Sequence, residues 1–279
     1  MLLLLLGCLP PFEFPEGLDR LCEPMDLTIP AADFITIAPS ITTDNPDSGA
    51  PLVVSVVAPE VPIGWTVVLV PPGTAAATTL HAEARRLARA GAVVVVFDPD
   101  GRGASEGEED YGGATHQAGL AQVITLAGEL PCTERLGVMS MSMGVIMATG
   151  ALAGDPDLPV SFLVDWEGPS DRHNTGCEGN SLGLPGCEDE AFWSQREASV
   201  SVAGLSMPYH RLQTLTDHVQ PDAAHARMML SAALAGGVPG VYLNTVELTE
   251  SPASLVPLLV GWRDPLLHLE VLLDWADGL

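Results

Sequence analysis

Apolar positions along the chain change their period near residue 70. Before it, three apolar runs, Phe34–Ala38, Leu52–Ala58 and Trp65–Val70, are separated by turn-forming clusters such as Asp44-Asn45-Pro46-Asp47-Ser48-Gly49. That pattern predicts antiparallel strands at the opening of a larger sheet. Beyond it, short buried strands alternate with helices. Thr74–Ala90 reads as a helix with Arg85, Arg86 and Arg89 in its second half and Gly91 just past its end, as a helix C-terminus favours. Ala92–Phe97 is an unbroken, mostly valine run, the pattern of a strand buried on both faces. A helix over about Ala114–Leu130, a strand Leu136–Met139 and a helix from about Ser142 to Ala153 follow. Strands Val160–Trp166, Met207–Gln213 and Val241–Asn244 continue the series, with helices near Glu190–Ser199, Ala223–Ala235 and Pro265–Ala276.

This succession predicts an α/β fold: a mostly parallel central sheet with helices on both faces and antiparallel N-terminal strands. No internal repeat or low-complexity tract interrupts it. Residues 1–33 read as a leader remnant and linker, and 34–279 as one catalytic-sized domain with a lid-like insertion at about 167–205. In such sheets ligands bind beyond the carboxyl ends of the strands, so chemistry is sought in the first residues after each strand.

After the strand ending at Met139 comes Ser140-Met141-Ser142-Met143-Gly144. A turn that lifts a serine between strand and helix needs small residues two before and two after it, because side chains there collide. Ser140 and Gly144 meet that need. The segment resembles the nucleophile elbow of α/β-hydrolases, with Ser140 where glycine is usual. Over residues 52–279 the chain is similar to α/β-hydrolases of the dienelactone hydrolase and prolyl oligopeptidase-like group. The resemblance implies that Ser142 is a nucleophile whose oxyanion is held by backbone N–H groups, that of Met143 and that of Gly73 or Thr74 in Val70-Pro71-Pro72-Gly73-Thr74. Proline has no N–H, so Pro72 offers no donor. The segment Asp98-Pro99-Asp100-Gly101-Arg102-Gly103-Ala104-Ser105-Glu106-Gly107 is similar to a loop-shaping segment of the same proteins.

The resemblance also implies an acid and then a histidine, in that chain order. Thr214-Leu215-Thr216-Asp217-His218-Val219-Gln220-Pro221 makes Asp217 the expected acid, with Asp165 the alternative. Of seven histidines, His268 alone follows the last predicted strand and precedes the closing helix, and it is the expected base. His218, adjacent to Asp217, is expected in the substrate pocket, and His225 as a surface or packing residue.

Composition narrows the partners. Net charge is -25, and all 11 basic residues are arginine. Such a chain repels nucleic acid and anionic membrane surfaces. The N-terminal Met1-Leu2-Leu3-Leu4-Leu5-Leu6-Gly7-Cys8 resembles the end of a bacterial lipoprotein signal, without its positive leading region, and implies lipidation at Cys8. On that reading four cysteines remain. Cys177 and Cys187 bracket a loop suited to a local disulfide, and Cys22 with Cys132 is the residual pairing; sequence does not set connectivity. The expected location is extracytoplasmic, with a membrane tether through Cys8, or cytoplasmic if the leucine run is fortuitous. Asp171, Glu178, Asn180, Glu188, Asp189 and Glu190 in the insertion offer oxygens for Ca²⁺ but lack a recognised loop spacing, so neither a metal nor an organic cofactor is expected.

The resemblance implies acyl transfer to water through an acyl-enzyme. A small-molecule ester or short acyl compound is the first substrate class, because these residues contain no β-propeller gate of the kind prolyl oligopeptidases carry. Peptidase or amidase action is the runner-up, and a non-catalytic surface lipoprotein on a degenerate hydrolase fold is the alternative of a different kind.

Overall fold

The computed structural model describes residues 36–37, 40–59, 61–179 and 182–261. The leader with Cys8 and Cys22, Asn180, His268 and the helix expected at Pro265–Ala276 lie outside the described residues.

The chain opens with β1 (Thr36–Ile37), β2 (Ile41–Asp44) and β3 (Pro51–Ala58). β1 and β2 both pair antiparallel with β3. β2 falls in a stretch where no strand was expected, because its alternation of buried and exposed residues covers only four positions. The parallel series follows: β4 (Trp65–Val70), α1 (His81–Arg89), β5 (Val93–Phe97), α2 (Ala114–Gly128), β6 (Arg135–Met141), α3 (Gly144–Gly154) and β7 (Phe162–Trp166). Three one-turn helices, α4 (Arg172–Thr175), α5 (Glu190–Trp193) and α6 (Ala198–Ser201), lead to β8 (Tyr209–Leu212), α7 (Ala224–Gly236), β9 (Val241–Leu243) and β10 (Val246–Leu248). The helix expected at Thr74–Ala90 starts later, after a 3₁₀ turn at Ala77–Leu80. That expected at Glu190–Ser199 is two short pieces, α5 and α6. β9 turns at Asn244, which has φ +53°, into the unexpected antiparallel β10.

Among the described residues ten strands form one sheet in the order β1-β3-β5-β4-β6-β7-β8-β9-β10, with β2 also on β3. The pairs β5-β4, β4-β6, β6-β7, β7-β8 and β8-β9 are parallel. Every residue of β4 and β5 is buried, which explains their unbroken apolar sequences. Gly137 inside β6 is dictated by packing, since a Cβ there would stand 2.3 Å from the Phe162 ring, which itself packs against Trp65. One apolar layer joins the sheet to α2, α3 and α7, and a second joins its other face to α1.

Register decides where the chemistry falls. Val70 pairs with Ser140, Met141 with Trp166, and Trp166 with Leu212. The carboxyl ends of β4, β6, β7 and β8 are therefore level and adjacent. The chain also reverses its direction of travel across the sheet between β4 and β6, the crevice where open α/β sheets bind ligands.

Candidate active site

β6 ends at Met141 and α3 begins at Gly144, leaving Ser142 on the turn with φ +50°. A residue with a Cβ pays about 1–2 kcal/mol in this left-handed region. The turn is held by the Ser142 N–H, which donates to the Trp166 carbonyl at 2.9 Å, and by Val145 N–H, which donates back to the Ser142 carbonyl at 3.1 Å. A Cβ at Gly144 would lie 2.9 Å from the carbonyl oxygens of both Val70 and Pro71, so glycine lets the start of α3 press against the loop after β4. Ser140 is fully buried and its hydroxyl donates to the Val164 carbonyl at 3.3 Å, which lets it stand where glycine is usual.

The loop after β4 carries Gly73 with φ +51° and open space where a Cβ would be. Among the described residues, the N–H groups of Gly73, Thr74 and Met143 donate to no protein acceptor. They are the three N–H groups that the sequence reading singled out, and each is free to take an acceptor from outside the protein. Asp98, at the end of β5, accepts the Ala77 N–H at 2.6 Å and the Ala104 N–H at 2.9 Å, pinning both neighbouring loops.

His218 Nε2 lies 2.9 Å from Ser142 Oγ. Its Nδ1 lies 2.9 Å from Glu167 Oε2. Facing a carboxylate, Nδ1 carries the proton and leaves Nε2 to accept from the serine hydroxyl. Glu167 is the first residue after β7, and its φ of +48° turns its side chain towards the loop after β8. Its Oε1 accepts the backbone N–H of Thr214 at 3.0 Å and also the Thr214 hydroxyl. Oε2 additionally accepts the His218 N–H at 3.2 Å. Trp166 stacks on the imidazole with centroids 4.9 Å apart and planes 17° apart. A cavity of about 360 Å³ borders the group, lined by Trp166, Glu167, Thr214, Thr216, Asp217 and His218.

At Ser142 the described residues bring together a histidine and a carboxylate other than those expected as base and acid. The histidine at Ser142 is His218, while His268 is outside the described residues. His218 was expected in the substrate pocket, with Asp217 beside it as the acid. Asp217 instead folds the loop back on itself, its Oδ1 accepting the N–H groups of Val219 and Gln220 at 2.8 Å each, and brings both side chains to one place. The carboxylate nearest Nδ1 is Glu167. Asp217 Oδ1 is at 3.5 Å. Asp165 faces Arg211 across the β7–β8 register and accepts from Arg211 Nη1 at 2.5 Å and from the Tyr209 hydroxyl at 2.7 Å. It is committed to a buried ion pair and does not reach His218. Sequence reasoning marks Glu167 only as the start of the insertion. A charged residue followed by Gly168 at a strand's carboxyl end is the signal that could have found it.

The insertion is braced on all sides. The disulfide Cys177–Cys187 forms as the loop spacing suggested, and Cys132 is also disulfide-bonded. Asp171 and Asp189 accept the N–H groups of Asn174 and Phe192 as helix caps, and Arg172 is clamped by Glu190 and Glu197. These acidic groups thus serve caps and ion pairs. Asn174 reaches the loop that carries His218, its carbonyl accepting from Gln220 Nε2 at 2.7 Å. Glu167, Asp217 and His218 place donor atoms within 4.8 Å of one another, as do His173, Cys177 and Cys187. In the first set the carboxylate oxygens already accept protein N–H groups, and in the second the sulfurs are bonded to each other.

Burial pushes the Glu167 carboxyl up, but the contacts from His218 and Thr214 outweigh it and hold it below the ordinary glutamate value of 4.5. A depressed folded-state value stabilises the fold above the unfolded value, and that contribution disappears as pH falls through the folded one. Wild type should therefore exceed Glu167→Gln in stability at pH 7 by more than it does near pH 3, as read from urea unfolding at both; a constant difference would contradict the ionised, hydrogen-bonded assignment.

A family model described as X-Pro dipeptidyl-peptidase (S15 family) matches residues 48–190, just over half of the 279 residues. Comparison with curated proteins gave no significant match. Among solved structures, an esterase of Pyrococcus furiosus superposes with a TM-score of 0.61 at 13% identity, covering 88% of this chain and 90% of that one. An α/β serine hydrolase without lid from Xanthomonas campestris gives 0.54 at 20% identity, over 88% and 95% of the two chains. An acylaminoacyl peptidase of Pyrococcus horikoshii gives 0.56 at 15% identity, over 76% of this chain and 36% of that one. At these identities the superpositions establish the α/β-hydrolase fold, and the family match goes further: the chain belongs to the X-Pro dipeptidyl-peptidase (S15) family.

Proposed function

We propose that the chain is a serine hydrolase in which Ser142 attacks a carboxylic ester, His218 takes the hydroxyl proton and returns it to the leaving group, and Glu167 holds the imidazole. The observation that carries this reading is the continuous hydrogen-bonded line Ser142 Oγ to His218 Nε2, His218 Nδ1 to Glu167 Oε2, each at 2.9 Å. Ser142 and the imidazole share one proton path, the imidazolium formed on attack faces a carboxylate, and the N–H groups of Met143 and Gly73 or Thr74 receive the oxyanion. Esters come first because an alkoxide leaves with less help from a general acid than an amine does.

Peptide cleavage is the second reading, favoured by the family match. An extracytoplasmic location accompanies both, supported by the disulfide Cys177–Cys187; no helix among the described residues is long and apolar enough to cross a membrane.

A fluorophosphonate probe should label wild type and leave Ser142→Ala unlabelled. Equal labelling of both, or of neither, would remove Ser142 from the reaction. Nitrophenyl acyl esters set against X-Pro anilides then divide the two substrate readings, with turnover of the esters alone expected.

A further inference from the structure

Asp217 is held between neighbours of fixed polarity. Gln213 is buried, and its Oε1 accepts from Arg211 Nε at 3.2 Å and Nη2 at 2.7 Å. Arginine only donates, so the amide of Gln213 has one orientation: oxygen towards Arg211, nitrogen towards Asp217. Gln213 Nε2 accordingly donates to Asp217 Oδ2 at 2.8 Å, and His225 Nε2 stands 3.2 Å from the same oxygen. On its other side Asp217 Oδ1 accepts the N–H groups of Val219 and Gln220, the residues that follow His218. The backbone of Gln213 is itself stapled by Asn244, whose Oδ1 accepts its N–H and whose Nδ2 donates to its carbonyl, both at 3.0 Å. Arg211, finally, is anchored by Asp165, and neither is exposed.

We propose that Asp217 is a positioning residue: its carboxylate transmits the fixed orientation of the Arg211–Gln213 pair to the loop that carries His218, and the site requires an acceptor at both of its ends. This rests on the assignment of His218 and Glu167 as base and acid. It implies that asparagine, although nearly the same shape, does not substitute. In one orientation its amide nitrogen meets Gln213 Nε2; in the other it meets the N–H groups of Val219 and Gln220. Donor faces donor either way. Adding Gln213→Glu to Asp217→Asn restores complementarity. The carboxylate introduced at position 213 can accept from Arg211 with one oxygen and from the amide introduced at position 217 with the other.

The test is kinetic, on the full chain with a nitrophenyl ester. Asp217→Asn should lower kcat by about tenfold to a hundredfold, the range of coupling within one hydrogen-bond network, with KM within about twofold of wild type. Adding Gln213→Glu should return most of that loss, although the net charge of the pair is then only relocated. A folded Asp217→Asn variant with wild-type kcat overturns the proposal, and so does a loss that Gln213→Glu leaves untouched in a protein of unchanged Tm. Should the single variant fail to fold, the double variant decides alone: a folded double variant within about tenfold of wild type is expected, and a folded but inactive one overturns the proposal. Glu167→Gln, measured alongside, separates the two readings. A smaller loss there than in Asp217→Asn overturns Glu167 as the acid, whereas a large loss with a silent Asp217→Asn overturns only the positioning role.

Discussion

His218→Ala is expected to lower kcat on an activated ester by about four to six orders of magnitude, with KM little changed, because a triad's members act as a unit and a serine without its base is a poor nucleophile. His268→Ala should stay within about twofold of wild type if His218 is the base. The contrast is a strong test because His268 is the histidine that follows the last strand predicted from sequence and was the expected base. Glu167 and His218 come instead from the ends of β7 and β8, the two strands that follow β6 across the sheet. Ser142, Glu167 and His218 thus stand on three consecutive neighbours in the sheet, and the distances of 2.9 Å at both ends of the imidazole leave no gap for another ring. The same variants read with a fluorophosphonate probe report the base independently of substrate choice, since labelling speed follows activation of the serine. Loss in His268→Ala with retained activity in His218→Ala would return the base to the sequence-derived position.

The fold and the turn that presents Ser142 were legible because they rest on local rules. Ser142 sits between an apolar strand and a helix with Gly144 two residues on, and each requirement is a short-range steric one. The valine run of β5 and the all-apolar β4 likewise announce burial on both faces. What was not legible is geometry created by backbone exceptions. Glu167 reaches His218 because its φ is +48°, a conformation that a glutamate sequence does not advertise. Asp217 and His218 share one direction because Asp217 accepts the N–H groups of Val219 and Gln220 and curls the loop. Asp165 looked like a candidate acid for the right reason, a carboxylate at a strand end. Its true partner, Arg211, is 46 residues away and is known only from the β7–β8 register. β10 and the short helices α4 to α6 were missed or merged because each is four residues or fewer, too short to show a period.

Asp165→Ala is expected to destabilise the fold by about 3–5 kcal/mol, the cost of leaving a buried charge without its partner. For a domain of this size that is on the order of 10 °C in Tm. Burial opposes the charge on Arg211, and Asp165 is the group that offsets it, with the Tyr209 hydroxyl held in the same cluster. Asp165 Oδ1 also accepts the Gly168 N–H at 3.0 Å, and a Cβ at Gly168 would fall 2.6 Å from that oxygen, so the turn carrying Glu167 is built around this carboxylate. Two consequences distinguish an ion-pair role from simple packing. Asp165→Asn, which keeps the shape but not the charge, should lose most of the same stability. Removing both charges together in Asp165→Leu/Arg211→Met should be less damaging than Asp165→Ala, because no uncompensated cation remains, although Gln213 then loses the donors that orient its amide. The double variant should accordingly recover part of the lost Tm, the Tyr209 hydroxyl and the Gly168 N–H still lacking their acceptor, without recovering kcat. Equal stability of wild type and Asp165→Asn in thermal and urea unfolding would show that Arg211 finds its compensation elsewhere, and recovery of kcat together with Tm would detach the core pair from the orientation of Gln213.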